Sequence, residues 1–562
     1  MDYEAEQQRL LRLFEEVPTD IEYDDEEDSS EEDYVEERLE KSETEQELDS
    51  EEEVEEQNEN VSKRAKWMRD TYYLGKYKET NVNLVTRLPG VRGAARGLTS
   101  IIDSWSCFFD DQMLNIILKN TNKSIDKVSD KYTRYRNARP TNIHEIKALL
   151  GLLYMTGVRK ENHLNAQDLF KTNGTSIEIF RLTMSQARFR FLLRHIRFDD
   201  KDTRQDRVKI DKLAPIRDLF NIFVSHCKQH YPISSCATID EKLEAFRGRC
   251  GFRQYTGILG AIFETPCIPN KPNKYGLKMF ALVDSKMLYT SNLEVYVGKQ
   301  PDGPYALENS AYSIVQRLCE PISGTGRNVT TDNWFTSTDL AEALRKDHRL
   351  TLVGTIRKNK RQLPHELVEG KSRPVNSNIF GYQEHCTLIS HVPKKGKNVL
   401  LTSTMHFDDT IDPENGKPEI ISFYNKTKGG VDVVDKLCAS YNCARATRRW
   451  AMVIFYSIMN MAAINAFIVF LEQLAFSLID GHLRERASSQ YIPRTLRARI
   501  KEICNIEEPV QPRNKTHGRC QLCDSKKNRK TRYNCKTCNK FLCLEHISVT
   551  CEDCYELQVT EN

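Results

Sequence analysis

The chain has 562 residues, of which 39% are hydrophobic and 29% charged, enough for several domains with apolar cores. Its net charge of +2 is segregated: residues 1–60 hold 28 acidic and 4 basic residues, and the remainder holds 52 acidic and 78 basic residues. Ten of the 17 cysteines are scattered and seven lie near the C-terminus, which excludes a secreted disulfide framework. A basic body behind an acidic arm favours nucleic acid as the partner over ordinary solubility charge.

The N-terminal segment is acidic and low in complexity, and its apolar content is too small to support a core. We therefore predict that residues 1–95 form a disordered acidic N-terminal region and linker. Helical periodicity begins near Ser100, where apolar residues start to recur at three- and four-residue steps. The chain from there to about residue 236 is predicted to be helical.

The pattern changes near residue 236, where five strand-like segments begin. Helices are predicted only between the later strands, which indicates an α/β sheet of mixed direction. Residues 360–420 are rich in turns and predict an inserted subdomain. The five strand-like segments are CATID, GLKMFALVDS, LYTSNLEVYVG, NVTTDNWFTS and LTLVGTIRKN.

Four acidic residues follow strands or open a helix. Asp240 and Asp332 each come at the predicted end of a strand, and Asp432 and Asp435 lie one turn apart after a Gly-Gly turn. Each acid alone is a common turn or cap residue. Together they provide the oxygen ligands that Mg²⁺ or Mn²⁺ prefers, and two such ions support phosphodiester cleavage. Their spacing is too loose to count as a motif by itself.

The C-terminal segment holds eight cysteine and histidine residues in four pairs. Two-residue spacing within a pair lets one turn present two ligands to a zinc ion, so eight ligands predict two structural zinc ions. We expect a cross-braced arrangement, in which pairs one and three share one ion, with sequential pairing as the alternative. The ligands are Cys520, Cys523, Cys535, Cys538, Cys543, His546, Cys551 and Cys554.

A further segment, residues 451–471, contains no charged residue and is long enough to cross a bilayer. Asn460 and Asn465 lie inside it. In a chain whose other features suit DNA and zinc, a buried helix is favoured over a membrane span.

Six sequence segments occur in the same order as in a known family: TIDEKLEAFRGRC, IPNKPNKYGLK, VTTDNWFTS, LVGTIRKNKRQLP, SRPV and YNKTKGGVDVVDKLCASYNCARATRRW. On these segments, residues 96 to 556 resemble a piggyBac-family transposase, or a piggyBac transposable element-derived protein. The resemblance implies an RNase H-like catalytic domain in which Asp240, Asp332 and Asp432 bind Mg²⁺ or Mn²⁺. Asp435 matches a fourth family aspartate near the site, and we count it with the catalytic residues.

The resemblance also implies a domain order. An insertion domain interrupts the RNase H-like domain, a helical dimerisation and DNA-binding domain flanks it, and a small two-zinc cross-brace module, similar to RING and PHD modules, follows. The implied ranges are 96–236 and 442–505 for the helical domain, 237–355 and 419–441 for the catalytic domain, 356–418 for the insertion domain and 516–556 for the Cys-rich domain.

The activity implied is cut-and-paste transposition in the nucleus. The enzyme would nick the transposon end, form a hairpin, reopen it and join the end to a TTAA target. The expected partners are double-stranded DNA, as terminal repeats and target, and a second copy of the chain, with no membrane. Basic or aromatic groups placed to hold DNA are Arg357, Lys358, Lys360, Arg361, Arg445, Arg448, Arg449 and Trp450.

Several alternatives stay open. Trp450 either stacks on an unpaired base or anchors the apolar helix, and KKNRKTR (residues 526–532) either contacts DNA or directs nuclear import. Residues 256–267 depart from the family pattern, as a loop extension or a gene-model error, and leave activity open. A domesticated, catalytically inactive, sequence-specific DNA-binding protein is the main alternative function, and a ubiquitin ligase is another.

Overall fold

The computed structural model describes residues 67–68, 84–98, 100–135, 138–174, 176–255, 275–413, 416–488, 493–504, 506, 517–527, 529–535 and 538–548. Residues 1–66, the segment 256–267 and the zinc-ligand candidates Cys551 and Cys554 therefore lie outside the described residues. The chain divides into two compact units, Met1–Ser477 and Leu478–Asn562.

Between residues 101 and 230 the described chain is mainly helical, as the periodicity predicts. Several helices begin at a side chain that accepts a hydrogen bond from the first turn, including Ser100, Asp110, Asn142 and Ser185. The eight helices described here are α1 (Ile101–Ser106), α2 (Asp111–Asp126), α3 (Ile143–Val158), α4 (Ala166–Leu169), α5 (Ile179–Thr183), α6 (Gln186–His195), α7 (Lys201–Val208) and α8 (Arg217–His230).

A nine-stranded sheet follows. Its strands are β1 (Cys236–Ala245), β2 (Gln254–Tyr255), β3 (Tyr275–Asp284), β4 (Thr290–Val295), β5 (Asn328–Thr331), β6 (Thr351–Thr355), β7 (Asn378–Gln383), β8 (Cys386–Lys394) and β9 (Lys397–Ser403). Their order is β2-β3-β1-β5-β6-β9-β8-β7, and β4 pairs with β3. Strand β5 runs parallel to β1 and β6, whereas β3 and β9 join antiparallel, so the predicted mixed direction is confirmed. The helix α9 (Ala311–Cys319) lies between β4 and β5, and α10 (Thr338–Lys346) connects the parallel strands β5 and β6.

The turn-rich segment after β6 does not form a separate sheet. Strand β9 pairs with β6, and β8 and β7 extend the sheet beyond it. Alternate residues face opposite layers: Leu388 and Leu400 pack with the short helix α11 (His365–Val368), and Ile389 and Leu401 pack with α12 (Glu419–Thr427). Helices therefore pack on both faces of this extension of the sheet, and the insertion domain over residues 356–418 stays a prediction.

Strand β1 is longer than the sequence predicts. It continues through Asp240 to Ala245, because β3 pairs with it over its whole length after β5 has stopped at Thr331. The prediction that Asp240 ends the strand was therefore wrong. The charged residues that follow Asp240 signal a strand end in sequence, but here they have partners, as in the ion pair of Glu241 with Lys278.

Three more α-helices follow the sheet and α12: α13 (Gly430–Ser440), α14 (Trp450–Ser488) and α15 (Arg494–Ile503). Part of α14 is long and apolar enough to cross a membrane, and 78% of its most apolar stretch is buried within the protein. Its two buried asparagines bind backbone groups: Asn460 accepts a hydrogen bond from the Cys443 N–H, and Asn465 binds both backbone groups of Thr290. The short strands β10 (Gly518–Arg519) and β11 (Lys530–Thr531) pair in the smaller unit.

Candidate active site and metal centre

Two of the four predicted acids meet where the parallel part of the sheet ends. Strands β1 and β5 pair in parallel up to Ile239 and Thr331. The next residue on each strand is an aspartate, so Asp240 and Asp332 extend from neighbouring positions. The Asp332 carboxylate also accepts hydrogen bonds from the backbone N–H groups of Trp334 and Phe335, which fixes its orientation in the turn.

The third acid arrives on α13, which begins unusually close to β1. The Thr238 hydroxyl donates a hydrogen bond of 2.5 Å to the Thr427 carbonyl just before this helix. A Cβ on Gly430 would lie 2.6 Å from the Thr238 Oγ1, so glycine permits this approach. The tight contact brings the first turn of α13, with Asp432, over β1.

Asp240, Asp332 and Asp432 line one cavity of about 180 Å³. The rest of its wall is formed by hydroxyl, apolar and basic side chains from β1, β5 and the segment before α13. These residues are Thr238, Ile239, Thr330, Thr331, Tyr424 and Lys428. The cavity therefore collects three carboxylates that lie far apart in sequence.

The electrostatics of the cavity disfavour three charged carboxylates. Burial raises the pKa of Asp240 to about 7, against the effect of a hydrogen bond from the Glu241 N–H, and the charges of Asp332 and Asp432 act with burial. Burial also raises the pKa of Asp332, which the positive charge of Arg357 partly offsets. A cation at the cavity would relieve this repulsion, and an all-oxygen set of donors suits Mg²⁺ or Mn²⁺.

Asp435 lies outside the cavity wall. Its Oδ1 accepts a hydrogen bond of 2.6 Å from Nζ of Lys242, a buried residue on β1. Burial raises the pKa of Asp435, and the ammonium of Lys242 lowers it. The structure therefore separates Asp435 from the three acids with which it was grouped.

The predicted basic residues after β6 lie on one turn. Arg357 is half-buried, and its charge reaches Asp332. Lys358, Lys360 and Arg361 are exposed. This turn therefore carries positive charge from the cavity into solvent.

The basic residues before α14 differ from one another. The Arg445 guanidinium donates to the carbonyl oxygens of Asn162 and Leu164. Arg449 donates to three carbonyl oxygens around the end of α6, those of residues 193, 194 and 196, whereas Arg448 is exposed. Trp450 packs edge-on against Phe252, with ring centroids 5.0 Å apart. Arg445, Arg449 and Trp450 thus all have contacts within the protein.

In the smaller unit, Cys520, Cys523, Cys543 and His546 place their ligand atoms within 4.8 Å of one another. The His546 Nδ1 lies 3.4–3.6 Å from the three sulfurs, and Cys523 Sγ lies 3.5 Å from Cys543 Sγ. A tetrahedron with ordinary zinc bond lengths has edges of about 3.3–3.8 Å. Pairs one and three therefore meet, as cross-bracing requires. Among the described residues, no other His, Cys, Asp and Glu set is as tight.

Sequence reasoning did not single out Tyr424 and Lys428. They lie four residues apart at the end of α12, and the Lys428 Nζ lies 5.3 Å from the centre of the Tyr424 ring. Both occur in the word YNKTKGG, and their spacing of one helical turn before the Gly-Gly turn was the available signal.

The class of protein follows from this mixed α/β fold, with three aspartates at one cavity, together with the family model that matches the chain. The family model described as Transposase IS4 matches residues 102–467, more than half of the chain, and that range includes all three aspartates. The chain belongs to this transposase family and, within it, to the piggyBac type.

The relatives give the scale of the likeness. The human PiggyBac transposable element-derived protein 3 is 22% identical over 378 residues, which are 61% of this chain and 56% of that protein. The human Chimeric ERCC6-PGBD3 protein is also 22% identical, over 32% of its length. The chain thus matches about half or less of these relatives. A piggyBac transposase, solved by cryo-EM in a synaptic complex with hairpin DNA, is 35% identical, with a TM-score of 0.64 over 83% of this chain and 100% of that chain.

Proposed function

We propose that this protein is a cut-and-paste DNA transposase that cleaves and joins DNA strands with divalent metal ions held by Asp240, Asp332 and Asp432. The observation that carries the proposal is the convergence of these three carboxylates on one cavity, where burial and mutual repulsion raise the pKa of Asp240 to about 7. Membership of a transposase family supplies the substrate class.

Bound Mg²⁺ or Mn²⁺ would activate the attacking oxygen and stabilise the leaving oxygen of a phosphodiester. The carboxylates of Asp240, Asp332 and Asp432 would hold these cations. Lys428, which lines the cavity, and Arg357, whose charge reaches Asp332, neutralise the charge that develops on the phosphate. Tyr424 lies on the same wall and orients the substrate.

The reaction order that we propose has four steps. Water attacks a phosphodiester at the transposon end and releases a 3′ hydroxyl. That hydroxyl attacks the opposite strand to form a hairpin, a second water opens it, and the end joins a TTAA target. The solved piggyBac complex with hairpin DNA supports the hairpin step.

The partners proposed are terminal-repeat DNA, target DNA and a second copy of the chain, in the nucleus. Lys358, Lys360, Arg361 and Arg448 are exposed cations that contact phosphates, whereas Arg445 and Arg449 also brace the protein backbone. Two structural Zn²⁺ ions order the C-terminal module, one of them at the Cys520, Cys523, Cys543 and His546 set.

The test is strand cleavage by the full-length protein. The substrate is a duplex that carries the terminal repeat beside TTAA, incubated with Mg²⁺ or Mn²⁺ and resolved on a denaturing gel. We expect nicked and hairpin products from the wild type. Asp332→Asn should retain DNA binding but cleave at least about 100-fold more slowly, which is the order of magnitude for the loss of one contact that stabilises the transition state. DNA binding without any product in the wild type would reject this proposal and favour an inactive, domesticated DNA-binding protein.

A further inference from the structure

One face of β1 carries a stripe of polar side chains. Successive residues of a strand alternate between its faces, so Thr238, Asp240, Lys242 and Glu244 share one face. Thr238 contacts the start of α13, and Asp240 lines the cavity with Asp432. The remaining two residues of the stripe continue away from the cavity.

Lys242 lies at the centre of a buried network. Its side chain is 5% exposed, and its Nζ lies 2.6 Å from Asp435 Oδ1 and 3.0 Å from Glu244 Oε1. The Ser457 hydroxyl on α14 donates a hydrogen bond of 2.5 Å to the same Glu244 oxygen. These contacts connect the catalytic strand to both α13 and α14.

We propose that Lys242 is a positioning residue for the metal site, acting through Asp435 to hold α13 in the rotation that brings Asp432 to the cavity. The inference rests on the proposed function. Asp432 and Asp435 are three residues apart, close to one helical turn, so a rotation of α13 that displaces one displaces the other. Because Thr238 and Gly430 are in contact at one end of α13, the Lys242 pair supplies a second point of attachment along it.

Two features argue against the other roles open to this pair. A divalent ion bound at Asp435 would lie beside the Lys242 ammonium and be repelled by it, so Asp435 is poorly suited as a metal ligand. A buried ion pair is also a weak source of stability, because desolvation of its charges offsets their attraction. Orientation of a neighbouring ligand is the role that accounts for a buried charge at this place, and partners behind metal ligands commonly act in this way.

The test measures Mn²⁺ affinity of the intact, zinc-loaded protein by calorimetric titration. Lys242→Met and Asp435→Asn should each weaken Mn²⁺ binding about 10- to 100-fold, as loss of a partner behind a ligand does. The double variant should lose no more than either single variant, since both remove one contact. Lys242→Arg should recover part of the affinity.

The matched control is Arg317→Met. It breaks the pair between Arg317 on α9 and Glu294 on β4, in which the atoms are 2.7 Å apart, and this pair lies outside the cavity wall. Mn²⁺ affinity should equal that of the wild type, because the pair does not touch α13. A single variant that fails to fold is replaced by Lys242→Met with Asp435→Leu, which removes both charges and should bind Mn²⁺ as weakly as a single variant.

Two outcomes would overturn the inference alone. If Asp435→Asn loses Mn²⁺ while Lys242→Met binds it as tightly as the wild type, Asp435 is a direct ligand. If every variant that breaks the pair binds Mn²⁺ like the wild type, the pair does not position the site. A wild type that binds no Mn²⁺ would instead overturn the proposed metal site, and this inference with it.

Discussion

Asp240 shows how one residue can be costly to the fold and useful to the site. Its carboxylate lies in the middle of a strand, where burial and two neighbouring aspartates make ionisation unfavourable. The cost disappears when a cation or a proton neutralises the cluster. The same arrangement that prepares a metal site therefore lowers the stability of the metal-free protein at neutral pH.

The stability of the metal-free protein should therefore depend on pH through Asp240. The folded-state pKa of Asp240 is about 7 against 3.8 for the free group, so its contribution to stability is complete below pH 3.8 and is lost as the pH rises through about 7. Without added divalent metal, Asp240→Asn should therefore be more stable than the wild type at pH 8, by on the order of 1–3 kcal/mol. The difference should shrink toward pH 5.

Thermal unfolding of both proteins between pH 5 and 8 measures this difference. Added Mg²⁺ should raise the midpoint of the wild type and have little effect on the variant, since ligand binding to the folded state stabilises it. A variant that is less stable than the wild type at pH 8 would contradict the account of this residue.

At the scale of elements, α14 begins where two basic residues have different surroundings. Arg449 ties the start of α14 to the end of α6 through three backbone carbonyls, whereas Arg448 is exposed. The carbonyls at the end of a helix lack partners within it. Arg449 shares those of residues 194 and 196 with Arg197, and it also binds the carbonyl of residue 193. The two neighbours should therefore separate structure from DNA binding.

We predict that Arg449→Ala lowers the unfolding free energy by about 1.5–3 kcal/mol, the range for hydrogen bonds to a charged group. Arg448→Ala is the matched control and, because this side chain is exposed, should lower stability by less than Arg449→Ala does. It should instead weaken DNA binding and reduce the salt dependence of the affinity by about one phosphate contact. Chemical denaturation and DNA titrations at several salt concentrations distinguish the two. Equal effects of both substitutions on stability would contradict the prediction.

Some secondary-structure elements can be predicted from the sequence and others cannot. The helices of the first part and the strands β1, β3, β4, β5 and β6 follow from periodicity and caps, whereas the two-residue strand β2 is not among the predicted segments. The end of β1 does not, because its continuation depends on β3 and on partners such as Asp435 that are remote in sequence. Strands β7–β9 do not reveal their place either, since turn content says nothing about pairing with β6.

The candidate metal ligands also differ in how far the sequence alone predicts them. The zinc ligands are local, and their spacing predicts that two ligand pairs come together. The three aspartates are ordinary until the register of β1 with β5 and the close approach of α13 place them at one cavity. The resemblance to the family identified the three aspartates in the sequence. Only the fold explains why these aspartates meet at one cavity and why Asp435 does not line it.

At the scale of the whole molecule, the chain presents two different sets of candidate metal ligands. The larger unit presents oxygen ligands at its sheet, and the smaller unit presents sulfur and nitrogen ligands. Oxygen donors favour the hard Mg²⁺ ion, whereas sulfur and nitrogen donors favour the softer Zn²⁺ ion. A chelator that removes zinc should therefore unfold the smaller unit and leave the triad in place.

The zinc arrangement predicts a specific stoichiometry. If pairs one and three share an ion, Cys520→Ser and Cys543→Ser each release the same zinc, and the double variant still retains the other. Sequential pairing would place these residues at different ions, so the double variant would lose both. The zinc content of purified proteins, measured by atomic absorption, decides between the two. Retention of one zinc ion per chain in the double variant is the expected result.

The central claim is that Asp240, Asp332 and Asp432 hold the divalent ions of a DNA transposase. The most direct test replaces Asp432 with cysteine, because the structure assigns its carboxylate no hydrogen bond that the change would break, and a thiolate accepts Mn²⁺ more readily than Mg²⁺. Single-turnover cleavage of a terminal-repeat duplex should be absent for Asp432→Cys in Mg²⁺ and partly restored in Mn²⁺, with Asp432→Ser inactive in both. Cleavage at the wild-type rate by both variants in Mg²⁺ would contradict the account.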